Sequence, residues 1–137
     1  MSDRRIDAFF YGLFMDVEVL GGSGVVPSNV RRAYVSDFAL RIGGRATLVA
    51  SVGARAYGML MSLTHGDLAT LYSAPSVAQY RPEAVLAQTL DGVTSPALCY
   101  NLIEAPGRDD RNPEYAVRLQ GVLSKLDFPS EYIASIA

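Results

Sequence analysis

The strongest constraint on the fold is a run of short apolar segments between Val30 and Met61 that glycine-bearing turns interrupt. Turns are expected at Gly43-Gly44 and at Gly53, which separate the segments Ala33 to Val35, Phe38 to Ile42, Ala46 to Ala50 and Arg55 to Met61. Segments this short are typical of strands rather than helices. Because short strands must cover one another's edges, we expect a small barrel or a strongly curled sheet.

The remaining strands are predicted on both sides of this run. Asp7 to Tyr11 is a short apolar segment closed by Gly12 and is typical of a buried first strand. Ala84 to Leu90 and Thr94 to Leu102 flank Asp91-Gly92, a strong hairpin signal because glycine tolerates the positive φ of such a turn.

Helices are predicted where capping residues precede apolar residues. Thr64 and Asp67 form a capping-box pattern at the start of a short helix that ends before Pro75. Asn112 and Pro113 suit an N-cap and a first-turn proline. Two shorter helices are expected at Asp16 to Leu20, before the flexible glycine loop 21–24, and after Pro129. This order of elements predicts an α+β fold, a small curled mixed sheet or barrel with short helices.

Composition narrows the class of protein. The 137 residues suit one domain spanning 1–137, and with 50% hydrophobic and 19% charged residues the chain is not disordered. A net charge of −2 offers no basic face for nucleic acid. One cysteine and one histidine exclude an intramolecular disulfide and argue against a zinc site.

The sequence also suggests a compartment. Met1 to Arg5 lacks the apolar run of a secretory signal, and no stretch approaches the ~20 apolar residues of a membrane span. We therefore expect a cytoplasmic protein that binds neither membrane nor nucleic acid. Aromatic and methionine side chains on edge strands would suit a homodimer contact, which the sequence leaves open.

Several segments together resemble the gamma-glutamylcyclotransferase-like family in order and spacing. They are Phe10-Tyr11-Gly12-Leu13-Phe14, Ala46 to Ser51 followed by Gly53 and Ala56-Tyr57-Gly58-Met59-Leu60, Asp67 to Leu71 with Tyr80-Arg81 and the Asp91-Gly92 hairpin, Ala97 to Tyr100, and Phe128 to Ile133. The resemblance covers nearly the whole chain and implies that family's fold. It also implies a small-molecule pocket that needs neither metal nor cofactor.

The resemblance implies a reaction as well. The substrate's own α-amine attacks its γ-carbonyl, so that a gamma-glutamyl amide releases 5-oxoproline and a free amine. The backbone of Tyr11, Gly12, Leu13 and Phe14 would bind the substrate carboxylate, with Ser51 and Tyr100 near the pocket. Leu13 departs from the family pattern, in which a residue with a polar side chain often follows the glycine.

The acid that this reaction needs is missing from its expected place. A carboxylate must take the proton of the attacking ammonium and later protonate the leaving nitrogen. The matching segment, 72–79, holds no Asp or Glu, and Ala74 or Pro75 stands at the expected position. Glu83 is the first candidate to replace the acid, although a solvated charge or a partner for Arg81 explains it as well.

Two functions therefore remain open. One is a cyclotransferase-like enzyme that acts on a gamma-glutamyl amide or amine conjugate with Glu83 as its acid. The other is a non-catalytic small-molecule-binding protein that keeps the pocket and has lost the acid. Further candidates to line the pocket or meet a ligand carboxylate are Tyr57, Tyr80, Tyr115, Arg41 and Arg45.

Overall fold

The computed structural model describes residues 4–137. The segment Met1–Asp3, on which part of the argument against a secretory signal rests, lies outside the described residues.

Residues 4–137 form five strands and four α-helices. The strands are β1 Arg5–Phe10, β2 Ser28–Ile42, β3 Ala46–Thr64, β4 Tyr80–Thr89 and β5 Thr94–Leu102. The helices are α1 Val17–Gly22, α2 His65–Leu71, α3 Pro113–Lys125 and α4 Ser130–Ser135, and a 3-10 turn, Leu13–Met15, follows β1.

The strands close into a barrel in the order β1-β3-β2-β4-β5. All neighbouring pairs are antiparallel except β1 and β5, which run parallel at Ala8 and Leu98 and close the barrel. The predicted α+β fold with a small barrel is confirmed.

Two long strands replace the four short strands expected between Val30 and Met61, so that part of the prediction was wrong. β2 and β3 form one continuous hairpin, and Gly53 lies inside β3 instead of ending a strand. The register shifts between Ser36 and Phe38, where Asp37 has a φ of 65° and its Oδ1 accepts a hydrogen bond of 2.9 Å from the Gly53 N–H. The hairpin therefore bends at Asp37 and Gly53 and continues.

Side chains alternate between two cores because successive residues of a strand face opposite sides of the sheet. On β1, Phe9 packs inside the barrel with Val35, Leu60 and Cys99. Phe10 faces outward, into the core between the barrel and the helices. β2, β3 and β5 also supply side chains to both cores, whereas β4 supplies Val85 and Ala87 to the barrel interior.

The helices begin largely at the predicted caps. Thr64 and Asp67 form the complete capping box of α2, and the Asn112 side chain accepts a hydrogen bond at the start of α3. Asp16 caps α1, which continues through Gly21 and Gly22, so the glycine loop is shorter than expected. No helix of residues 4–137 is long and apolar enough to cross a membrane.

Gly58 on β3 lies where the backbone of β1 leaves no room for a side chain. A Cβ atom built there would lie 2.2 Å from the carbonyl oxygen of Phe10 and 2.9 Å from the ring of Phe9. Since the backbone of β1 cannot move away without opening the barrel, only glycine fits.

We predict that Gly58→Ala lowers the free energy of unfolding by at least about 2 kcal/mol, because the methyl group overpacks against backbone. Gly121→Ala is the matched control, since an added Cβ on this exposed face of α3 meets nothing within 4 Å. The control should be stabilising by up to about 1 kcal/mol through helix propensity. Urea unfolding followed by circular dichroism measures both, and a neutral Gly58→Ala would contradict the packing at this crossing.

Candidate ligand-binding site

A cavity of about 400 Å³ opens at one end of the barrel. The last residues of β1 and β5 meet the first residues of β3 and β4 there, beside α3. Eight of its seventeen lining residues within 4–137 are aromatic, and the lining consists of Phe9, Phe10, Tyr11, Gly12, Leu13, Phe14, Val19, Gly44, Arg45, Ala46, Tyr72, Ser76, Val77, Tyr80, Tyr100, Tyr115 and Arg118. An apolar cavity with a few polar groups is the usual form of a small-molecule site.

The loop after β1 forms one wall of the cavity. The backbone of Gly12 is extended, with φ −110° and ψ −152°, a conformation that any residue can adopt. Glycine is therefore required here because it has no side chain. A Cβ atom at Gly12 would lie 2.7 Å from the hydroxyl oxygen of Tyr115. The 3-10 turn that follows leaves the N–H groups of Leu13 and Phe14 without acceptors within the turn. The Leu13 backbone is hydrogen-bonded to the Tyr115 hydroxyl, so the Phe14 N–H is the one suited to bind an anion.

Stacked tyrosines form another wall. The rings of Tyr72 and Tyr100 stack with centroids 3.9 Å apart and planes 11° from parallel. The Phe14 ring meets the Tyr72 ring edge-on, with their centroids 5.9 Å apart. The centroid of the Tyr80 ring lies 6.1 Å from that of Tyr72. This arrangement presents a continuous aromatic surface to a bound molecule.

Burial sets the protonation of these phenols. It raises the pKa of Tyr80 to about 12, although the positive charge of Arg45 opposes the rise. It also raises the pKa of Tyr72 well above its ordinary value, and that of Tyr115. The hydroxyls therefore stay protonated near neutral pH and act as donors rather than as general bases.

The charge that the described residues bring to the cavity is positive. Among residues 4–137, Arg45 and Arg118 are its only charged lining residues. The Nε of Arg45 donates a hydrogen bond of 2.8 Å to the Ser76 carbonyl. Within residues 4–137 neither arginine forms an ion pair. In the same range no three His, Cys, Asp or Glu side chains cluster as metal ligands would.

The structure brings together most of the residues predicted to bind substrate. Tyr11, Gly12, Leu13, Phe14 and Tyr100 all line the cavity. Tyr11 also orders the wall, because its hydroxyl donates a hydrogen bond of 2.7 Å to the Tyr100 carbonyl. Their role as ligands of a substrate stays a prediction.

Two predicted residues lie elsewhere. Ser51 is half-buried on β3 near the Gly53 bend and does not line the cavity. Glu83 is exposed on β4, also outside the lining, and its Oε1 accepts a hydrogen bond of 2.5 Å from Nδ2 of the buried Asn101. The structure therefore does not place the Glu83 carboxylate beside the Tyr11–Phe14 loop.

The segment expected to carry the acid does reach the cavity. Ser76 and Val77 line it, whereas Ala74 and Pro75 are exposed beside it. The turn is held by a hydrogen bond of 3.0 Å from the Val77 N–H to the Ala74 carbonyl. The wall is therefore present without a carboxylate.

Sequence reasoning missed Tyr72 and Arg118. A signal for Arg118 existed, since residues three apart on a helix share a face and Tyr115 had been singled out. Of the other candidates, Tyr80, Tyr115 and Arg45 line the cavity. Tyr57 instead packs on Tyr132, with ring centroids 4.9 Å apart. An Nη atom of Arg41 lies 3.5 Å from the Pro106 carbonyl oxygen.

Cys99 and His65 take no part in the site. Cys99 is fully buried inside the barrel, and burial raises the pKa of its thiol to about 12. It is therefore a small core residue and not a reactive thiol. His65 is the exposed first residue of α2.

Comparison with solved structures identifies the fold. A gamma-glutamyl cyclotransferase of known structure superposes with a TM-score of 0.81 at 19% identity, over 98% of this chain and 89% of its own. The chain has the gamma-glutamyl cyclotransferase fold. An uncharacterised human protein matches with a TM-score of 0.77 at 20% identity, over 97% of this chain and 88% of its own. A mouse AIG2-like protein matches with a TM-score of 0.59 at 17% identity, over 81% of this chain and 90% of its own.

The resemblance seen in the sequence is thus confirmed at the level of the fold. No protein-family model and no curated protein matches the sequence. At these identities the match shows the fold alone, because one fold can host many different chemistries.

We predict that Gly12→Ala lowers the free energy of unfolding by about 1–2 kcal/mol, because the new methyl group overlaps the Tyr115 hydroxyl. Tyr115→Phe in the same background should recover at least about 1 kcal/mol of that loss in a double-mutant cycle. Gly44→Ala is the control, because Gly44 lines the same cavity and an added Cβ meets nothing within 4 Å. Additive effects of the two substitutions in urea unfolding would show that the hydroxyl does not set the requirement for glycine.

Proposed function

We propose that the protein is a non-catalytic small-molecule-binding protein whose cavity holds a ligand with a carboxylate and an apolar body. The single observation that carries this proposal is the charge of the cavity. Two guanidinium groups line it, and no carboxylate of residues 4–137 does.

Arg45 and Arg118 supply the attraction for an anion. Guanidinium groups bind carboxylates through paired hydrogen bonds, and a charge-assisted bond is stronger than a neutral one. Both arginines lack ion-pair partners within the described residues, so a ligand carboxylate displaces no protein carboxylate from them.

The uncharged lining complements the arginines. The N–H group of Phe14 is available for a carboxylate oxygen or a neighbouring polar group, whereas the Leu13 backbone is hydrogen-bonded to the Tyr115 hydroxyl. The stacked rings of Tyr72 and Tyr100 suit the apolar part of the ligand. A molecule of a few carbon atoms would thus be bound at its charged end and packed along its length.

Proton transfer is poorly supported by the same residues. The ring-forming attack of an α-amine requires a base near neutral pH. Burial raises the pKa of Tyr72, Tyr80 and Tyr115, which makes their hydroxyls unsuitable bases. Glu83 is hydrogen-bonded to Asn101 outside the cavity lining.

The second candidate function is release of 5-oxoproline from a gamma-glutamyl amide or amine conjugate. It is favoured by the structural match to a gamma-glutamyl cyclotransferase over 98% of this chain. In this alternative Glu83 would have to leave Asn101 and reach the cavity to carry the proton. The two functions make opposite predictions for product release.

We predict that purified protein releases no 5-oxoproline above background from a panel of gamma-glutamyl amines and dipeptides, as measured by mass spectrometry. The reason is the lack of a carboxylate in the cavity lining. Release by the parent protein together with its loss in Glu83→Gln would favour the cyclotransferase instead. Release that survives in Glu83→Gln would place the acid at another residue.

We predict that glutarate, a small carboxylate without an amine, binds and that Arg45→Gln weakens its binding about tenfold. The loss of one charge-assisted hydrogen bond, worth about 1.5 kcal/mol or more, corresponds to that factor. Arg108→Gln is the matched control, because it removes the same charge from an exposed residue outside the cavity. Isothermal titration calorimetry measures both, and equal losses in the two variants would indicate a general charge effect.

A further inference from the structure

The cavity differs from a site for free amino acids in the groups that it offers to an ammonium ion. A bound ammonium needs a carboxylate or several oxygen acceptors, because its desolvation must be compensated. The lining contains no carboxylate of residues 4–137 and has two guanidinium groups, Arg45 and Arg118. Positive charge on a ligand is therefore repelled where negative charge is attracted.

Several carbonyl groups around the cavity already accept one hydrogen bond from the protein, which leaves one lone pair of each for a ligand. The carbonyl of Tyr100 accepts a hydrogen bond from Tyr11, that of Ala46 from Tyr80, and that of Ser76 from Arg45. In the Tyr11–Phe14 loop, the Gly12 carbonyl accepts a hydrogen bond from the Met15 N–H. The Leu13 carbonyl accepts one from the Asp16 N–H.

The hydroxyls of the lining add acceptors but no charge. Because the Tyr11 and Tyr80 hydroxyls donate to carbonyls, their oxygens can only accept from a ligand, and burial keeps the phenols of the cavity protonated. A neutral phenol carries no charge to balance an ammonium. The charge that residues 4–137 bring to the lining is therefore positive.

We propose that the cavity selects small organic acids that lack a charged amine, such as dicarboxylates or acids whose nitrogen is acylated, over free α-amino acids and gamma-glutamyl compounds. The selection rests on the proposed binding function and names its ligand class. Arg118, on the α3 side of the cavity, is the specificity-determining residue together with Arg45. The aromatic wall accepts the uncharged substituent that stands where the amine would be.

Two ligand pairs that differ in one group test the selection. Glutarate differs from glutamate by the amine, and N-acetylglutamate differs from glutamate by acylation of that amine. We expect glutarate and N-acetylglutamate to bind at least tenfold more tightly than glutamate in isothermal titration calorimetry at neutral pH. Binding of glutamate as tight as that of glutarate would overturn the selection and leave the binding function intact. No binding of any of the three at millimolar concentration would overturn the binding function itself.

A charge reversal tests the proposed origin of the selection. Arg118→Glu places a carboxylate at the cavity, so we expect the ratio of glutarate affinity to glutamate affinity to fall at least tenfold. Arg108→Glu makes the same change of net charge outside the cavity and should leave the ratio unchanged. Because Arg118 is exposed on α3, the substitution should not disturb the core, which thermal unfolding of the same samples checks. An unchanged ratio in Arg118→Glu would show that Arg118 does not set the preference.

Discussion

The placement of β1 between β3 and β5 is the constraint on which the rest of the structure depends. β1 pairs antiparallel with β3 through its whole length and touches β5 in parallel at Ala8 and Leu98, so it alone closes the barrel. Closure brings the Phe10 carbonyl so near to Gly58 that a side chain at that position is excluded. Because the Tyr11–Phe14 loop continues directly from β1, the same contact fixes one wall of the cavity.

The properties of the cavity follow from its place at the end of the barrel. Strands begin and end there, so tyrosines such as Tyr80 are only partly covered, and the Tyr80 hydroxyl turns to the Ala46 carbonyl. Partial burial raises the pKa of Tyr80 and Tyr100 and keeps both phenols neutral. Among residues 4–137, positive charge enters from Arg45 and Arg118, which reach the cavity from the turn before β3 and from α3.

Local signals in the sequence predicted the parts of the fold that depend on neighbouring residues. The capping box at Thr64, the Asn112 cap and the Asp91-Gly92 hairpin all formed as expected. The continuity of β2 and β3 was missed because it depends on Asp37 reaching Gly53, sixteen positions away in the sequence. The Tyr11–Phe14 loop could be found from its own residues, whereas Tyr72 joins the site through stacking on Tyr100 of a distant strand.

The position of Glu83 shows why a carboxylate close in sequence need not serve the cavity. Tyr80 and Glu83 are three residues apart on β4, so their side chains point to opposite faces of the strand. Tyr80 faces the cavity, where its hydroxyl meets the Ala46 carbonyl. Glu83 lies opposite Cys99 in the register and turns toward Asn101, on the face that lines the barrel interior. Because the Glu83 side chain is held by Asn101 outside the cavity lining, the sign of the cavity's charge is set by its arginines.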